Sequence, residues 1–252
     1  MTARDGSAFT VGWLYPDLMS IYGDRGNIVT LLQRARWRGL DARLLELGKG
    51  DAAGIDEVDV FFFGGGQDRE QALIYEDLIE HKQKALRFAV DSGAQILAVC
   101  GGYQLLGHYY QTAEGQRYDG IGMLDVSTQA GKKRFIGDVV VESSADLNLT
   151  PRTLVGFENH SGRTFLGKKA KPLGKVLKGR GNNGSDRTEG AVQGGIIGTY
   201  LHGSLLPKNP HLADHVIGAA LKRRAGGAPL STLDDSAELA AHGWILQRAQ
   251  RR

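Results

Sequence analysis

The chain has a single cysteine, Cys100, and its setting is the feature of the sequence most able to do chemistry. The stretch QILAVCGGYQLLG puts the thiol at the end of an apolar run, follows it with Gly101 and Gly102, and then opens a helical pattern. A strand, a sharp turn and a helix in that order form an elbow that exposes a nucleophile, and small residues are what such a turn tolerates. At a helix N-terminus the free N–H groups and the dipole favour thiolate, so the expected pKa falls into the roughly 3.5–7.5 range of reactive cysteines. A lone cysteine in a core is more often a small hydrophobe. The position at the carboxyl end of a strand, where doubly wound sheets bind their ligands, argues for the reactive role.

A thiolate attacking a carbonyl needs donors for the oxyanion, best supplied by backbone amides that no side chain obstructs. Gly101 offers one, and the glycines at 64–66 in FFFGGGQD, Gly65 at their centre, offer a second. A base is needed as well. Among seven histidines, His202 ends a second strand-like run, GGIIGTYLHG, and can reach the same sheet edge; His160 in GFENHSGR is its competitor. His81, His211 and His215 fall in helical stretches and are expected in solvent, whereas His108, two turns past the elbow, is expected to pack.

The elements that must hold these groups alternate through the first 110 residues. FTVGWLY, ARLLEL, VDVFFF and QILAVC read as strands, and GNIVTLLQRARWRG and YEDLIEHKQKALRFAVDSG as helices, the latter ended by Gly93. Such alternation predicts an α/β fold with a mainly parallel central sheet and helices on both faces. VDVFFF, apolar but for Asp59, suits a strand covered on both sides. Beyond residue 120 the shorter runs IGMLDV, KRFIGDVVVE and LVGFEN predict added antiparallel strands. No linker divides the chain, so residues 1–252 read as one domain with 228–252 as a helical extension. In that extension Ser231 and Asp234 have capping-box-like spacing, and Leu233, Ala237, Ala240, Ala241, Trp244 and Ile245 supply an apolar face for this chain's core or for a partner.

Composition bounds the function. With 31 basic and 28 acidic residues, a net charge of +3 and 41% hydrophobic residues, the chain can build a large core and has no charge bias that would favour nucleic acid. One cysteine permits no internal disulfide, no run approaches the ~18 apolar residues of a membrane span, and the N-terminal stretch lacks the apolar segment of a signal peptide. The expectation is a cytoplasmic protein without a membrane span. GRGNNG (179–184) matches a dinucleotide pattern, but SDRTEG follows where a helix is required, so it reads as a flexible turn. No phosphate-binding P-loop is present.

Ala98-Val99-Cys100-Gly101-Gly102-Tyr103-Gln104 resembles the G-x-C-x-G-x-Q elbow of class I glutamine amidotransferases, with alanine at the first glycine. The CGGYQ form is similar to the branch shared with cobyric acid synthases. Within that branch YPDLMSIYGDRGN (15–27), FFFGGGQDREQ (61–71), KRFIGDV (133–139), GFENHSGRT (156–164) and GTYLHGSLLPKNP (198–210) resemble the glutaminase subunits of lipid II isoglutaminyl synthases. The resemblance implies the flavodoxin-like fold of that class, with Cys100 attacking the side-chain amide of L-glutamine, His202 moving the proton, and ammonia leaving from a thioester. It also implies that Arg134 anchors the substrate and that Gln104, with Gln67, contacts the ligand or the oxyanion loop. A guanidinium fork suits an α-carboxylate.

One departure is clear. The class carries a glutamate two residues after its histidine, where this chain has Ser204. Asp17, Asp24 and Glu158 are the candidates for a third group, and a two-residue site is the alternative. The resemblance further implies a heterodimer with a Mur-ligase-like synthetase that amidates the D-glutamate α-carboxyl of lipid II in peptidoglycan synthesis. ATP and magnesium would then belong to that partner, with no cofactor or metal in this chain. An amidotransferase for another acceptor, such as a corrinoid carboxylate, and a non-catalytic binding module are the competing readings.

Overall fold

In the computed structural model, residues 8–20, 23–222 and 229–251 are described. The first strands and helices are β1 (Phe9–Leu14), α1 (Arg25–Arg36), β2 (Ala42–Leu47), β3 (Val60–Phe63), α2 (Asp68–Asp77), α3 (Gln83–Asp91), β4 (Gln95–Val99) and α4 (Gly101–Leu106). They alternate as the sequence pattern requires. Helices α2 and α3 are joined by a wider π-helical turn, Leu78–Lys82, so the one helix expected over this stretch is continuous but locally unwound.

The second half begins with β5 (Tyr109–Gln111), β6 (Arg117–Asp119), the 18-residue β7 (Val126–Ser143) and β8 (Thr153–Leu166). It continues through β9 (Gly174–Lys178), β10 (Thr188–Glu189), β11 (Ala191–Gln193) and β12 (Ile196–Thr199) to α5 (Leu205–Lys208), α6 (Pro210–Leu221) and α7 (Ser236–Arg251). The main sheet has the order β11-β12-β4-β3-β1-β2, parallel throughout except for β11 at its edge. A second, mostly antiparallel sheet is built around β7. IGMLDV contributes only Val126 to a strand, because residues 121–125 turn the chain into β7.

Both faces of the main sheet are covered, which is why β3 and β4 tolerate no polar side chain in their interiors. Phe61, Phe62 and Phe63 are fully buried, each removing apolar surface worth roughly 1.5–3 kcal/mol. Asp59, just before β3, is buried too, and its carboxylate accepts the Thr10 amide at 2.8 Å. Arg34 of α1 is another buried charge. Its guanidinium forks onto Asp214 of α6 and Asp235 ahead of α7, at 2.6–2.8 Å, and Arg38 adds a second cation to Asp214 at 2.7 Å.

The C-terminal helix packs on this chain, but with a face that shares only Ile245 with the expected one. His242, Ile245, Leu246 and Ala249 turn inward, the aliphatic pair against Val140 and Val155, while Ala237, Ala240, Ala241 and Trp244 are exposed. Polar anchors set this rotation. His242 bonds the Lys208 carbonyl at 2.8 Å and Thr153 Oγ1 at 2.9 Å, and Arg248 pairs with Asp138 at 2.6 Å. Helix α7 starts at Ser236, so Ser231 caps nothing; Asp234 instead accepts the Ser236 amide at 3.1 Å.

Candidate active site

The site is assembled by sheet register. Phe63 of β3, Ala98 of β4 and Gly198 of β12 lie in one row across three parallel strands. Past that row, toward the carboxyl edge where such sheets bind ligands, come Gly64 one residue on, Cys100 two on and His202 four on. Cys100 has φ 51° and ψ −106°, a conformation that L-residues rarely adopt, and α4 starts at the residue after it. The elbow is real, and its strain falls on the cysteine.

The two glycines after the thiol are there because the 64–66 loop rests directly on the first turn of α4. A Cβ on Gly102 would stand 2.5 Å from the Phe63 carbonyl oxygen, and one on Gly101 would stand 2.8 and 2.9 Å from backbone atoms of Gly66. Neither could be relieved by moving a side chain. Gly65 has ordinary room: a Cβ there would lie 3.4 Å from His202 Cε1, 3.5 Å from Cys100 Cβ and 3.6 Å from Asp24 Oδ2. Three residues from three segments thus meet around one glycine.

The electrostatics differ from the sequence expectation. Burial pushes the Cys100 thiol up to about 12, and Asp24 adds to the rise; Arg134 and the Gly101 amide pull against it without prevailing. The six-residue α4 is too short for its dipole to outweigh a thiol only 7% exposed. Burial also lowers His202 to about 4, helped by Arg134 and by Lys208, which donates to the Gly203 carbonyl beside it. At neutral pH the resting pair is therefore thiol and neutral imidazole. A neutral imidazole can accept a proton.

A cavity of about 230 Å³ opens on Cys100 and is lined in part by Gly66, Gln67, Gln104, Arg134 and His160. Arg134 reaches it from a loop-out in β7, where residues 131–134 stand opposite Ser161 alone on β8. Its Nε donates to Asn159 Oδ1 at 2.6 Å and Nη2 to the Asn159 carbonyl at 3.0 Å. Arg134 also borders a second, larger groove of about 790 Å³ along Ile136, Phe157, Lys178 and Arg180. Gln104 is held by Gln71 and Tyr200, at 2.9 and 3.1 Å. Gln67, at the start of α2, donates its amide to Glu70 at 3.1 Å.

His160 stacks on Tyr200 at 3.6 Å between ring centroids and bonds the Gly162 carbonyl through Nδ1 at 3.0 Å, with burial lowering its pKa to about 3. It lines the cavity without lying beside Gly65. Of the other histidines, His81 is exposed as expected. His211 is half-buried, bonded to the Thr153 carbonyl at 3.1 Å and edge-on to His242, because α6 turns it under α7. His215 is half-buried as well. His108 does not pack; it is exposed and paired with Asp125 at 2.8 Å.

The candidates for a third group separate cleanly. Asp17 is exposed. Glu158 accepts the Arg180 and Gly181 amides at 2.9–3.0 Å, which makes 179–184 a packed loop rather than a flexible turn. Ser204 donates to the Gly23 carbonyl. Asp24 alone of these meets Gly65: its Oδ2 accepts the Gly65 amide at 2.7 Å, and burial raises its pKa to about 7. Tyr110, whose hydroxyl donates to Asp68 at 2.9 Å at the cavity wall, carried no sequence signal. Among the described residues there is no cluster of three metal-ligating side chains and no helix long and apolar enough to cross a membrane.

A CobB/CobQ-like glutamine amidotransferase domain matches residues 10–210. The chain is 39% identical over 243 residues to the lipid II isoglutaminyl synthase (glutamine-hydrolyzing) subunit GatD of Staphylococcus aureus N315, covering 96% of this chain and 97% of that one. It is 38% identical over 230 residues to the GatD subunit of Streptococcus pneumoniae R6, covering 90% and 86%. Among solved structures, PurLQS from Thermotoga maritima superposes with a TM-score of 0.56 at 17% identity over 86% of this chain and 97% of that one, a likeness of fold.

Proposed function

The chain belongs to the CobB/CobQ-like glutamine amidotransferase family, and from that premise we propose that it is the glutaminase subunit of a lipid II isoglutaminyl synthase. The observation that carries the chemistry is the meeting of Cys100, His202 and Gly65 at the ends of three adjacent strands. L-Glutamine enters the 230 Å³ cavity with its α-carboxylate toward Arg134 and its carboxamide toward Cys100.

With the thiol pushed up to about 12 and the imidazole down to about 4, both groups are neutral before glutamine reacts. His202 takes the thiol proton as sulfur attacks the carboxamide carbon, and the oxyanion that forms is met by the Gly101 amide and one from the glycine loop. The imidazolium returns its proton to the departing nitrogen, ammonia leaves, and a γ-glutamyl thioester remains. Water, deprotonated by His202, then releases glutamate and restores the thiol, so glutamine and water give glutamate and ammonia.

Ammonia needs an activated carboxylate. The reading supplies it through a Mur-ligase-like partner that binds ATP and magnesium and phosphorylates the D-glutamate α-carboxyl of lipid II, with the pair working in the cytoplasm. The match over most of both chains with GatD subunits supports this acceptor over a corrinoid.

Two measurements test the proposal. Intact mass after treatment with 6-diazo-5-oxo-norleucine should show one adduct, lost in Cys100→Ala. Chain plus synthetase should then amidate lipid II with glutamine, whereas Cys100→Ala should do so only with free ammonium. Amidation of a corrinoid but not of lipid II would overturn the acceptor, and undiminished glutamine-driven amidation by Cys100→Ala would overturn the nucleophile.

A further inference from the structure

The glycine loop can donate an amide to the oxyanion only if something fixes which amide points inward. Gly65 is central by sequence, but its N–H is engaged: it donates to Asp24 Oδ2 at 2.7 Å. Asp24 is 1% exposed, stands at the start of α1, and has no basic partner among the described residues. Its other oxygen, Oδ1, is buried without a hydrogen bond among the described residues. An unsatisfied carboxyl oxygen is costly to bury.

Gly66, the next residue, lines the cavity together with Cys100, and its backbone oxygen and nitrogen lie 2.8 and 2.9 Å from where a Cβ on Gly101 would stand. We propose that Asp24 is a positioning residue that holds the Gly65 amide away from the reaction and thereby leaves the Gly66 amide, beside that of Gly101, as the second oxyanion donor. Asp24 touches neither glutamine nor the reacting atoms; it acts through the loop. Met19 backs the arrangement, since its side chain occupies the space against Gly66 and Gly101. This inference rests on the glutaminase reading.

The test is steady-state glutamine hydrolysis by the full chain, with the ATP-dependent synthetase subunit present if wild type turns over only then. Asp24→Ala removes the acceptor and should lower kcat at least tenfold with KM within about twofold, because the Arg134 side of the cavity is untouched. Asp24→Asn keeps an oxygen that can accept the Gly65 amide and should restore kcat to within about threefold of wild type. A rise in kcat for Asp24→Ala would mean that the carboxylate sequesters the working amide, and an unchanged kcat would mean that the loop needs no pin; either overturns the proposal. So would an Asn variant as slow as the Ala variant. Should Asp24→Ala lose its melting transition, Asp24→Val, which fills the space without an acceptor, takes its place. A wild type that neither forms the diazo-ketone adduct nor hydrolyses glutamine would refute the glutaminase reading instead.

Discussion

The Cys100 amide donates to the Thr199 carbonyl at 2.9 Å, tying the nucleophile to the strand that delivers His202 three residues later. The β4–β12 ladder fixes Cys100 against Thr199, and a backbone bridge to Phe157 of β8 fixes His202 in the segment that follows β12.

The strain at Cys100 gives a first expected outcome. Cys100→Gly and Cys100→Ala both remove the thiol and should both give no diazo-ketone adduct. Glycine accepts φ 51° freely and alanine does not, so Cys100→Gly should be the more stable of the two by about 1–2 kcal/mol in urea denaturation. Equal stabilities would mean that the elbow relaxes.

Glycines of the site should respond differently to a methyl group. Gly102→Ala drives Cβ to 2.5 Å from a main-chain oxygen and should destabilise the fold by about 3 kcal/mol. Gly65→Ala meets only contacts of 3.4 Å or more and should stay within about 1 kcal/mol of wild type, yet it crowds His202 and Cys100 and should slow glutamine hydrolysis about tenfold. Thermal melts and kcat for the two variants check both statements.

Asp24 couples stability to pH. Its folded pKa is raised to about 7 by burial, above roughly 3.9 in the unfolded chain, so its contribution is full below pH 4 and is lost as pH rises through 7. Asp24→Asn has no such loss. Relative to wild type it should gain stability progressively between pH 4 and 7, reaching roughly 2–4 kcal/mol at pH 8. Urea midpoints at pH 4.5 and 8 decide it; the same difference at both values would contradict a buried ionising carboxyl.

Arg34 holds α1 to α6 and to the segment before α7 through two carboxylates at once. Arg34→Leu should cost about 3 kcal/mol, because Asp235 is left without its cation and Asp214 keeps only Arg38. Arg34→Lys should recover less than half of that, since one ammonium cannot fork onto both partners. Full recovery would show that charge alone matters.

Much of this site was legible because its parts are local in sequence. The strand-Cys-Gly-Gly-helix pattern defines the elbow, and runs ending in Gly64 and His202 point to one sheet edge. What escaped is non-local. Nothing around Asp24 in IYGDRGN says that its carboxylate meets an amide 41 residues away. The thiol pKa was misread for the same reason: a helix N-terminus shows in sequence, whereas the burial that outweighs it depends on every segment packed above Cys100. In α7 the apolar pattern pointed to Trp244, but a histidine and an arginine chose the face that docks.

Those docking contacts run further than the helix. Arg248 grips β7 through Asp138, His242 grips the carbonyl of Lys208, and the Lys208 ammonium reaches the Gly203 carbonyl, one residue from His202. The contacts of α7 thus run on to the residue next to His202. Removing α7 would take away the His242 contact at Lys208 and the Arg248 contact at β7, so the helix is tied into the segment that carries His202 rather than hanging from it.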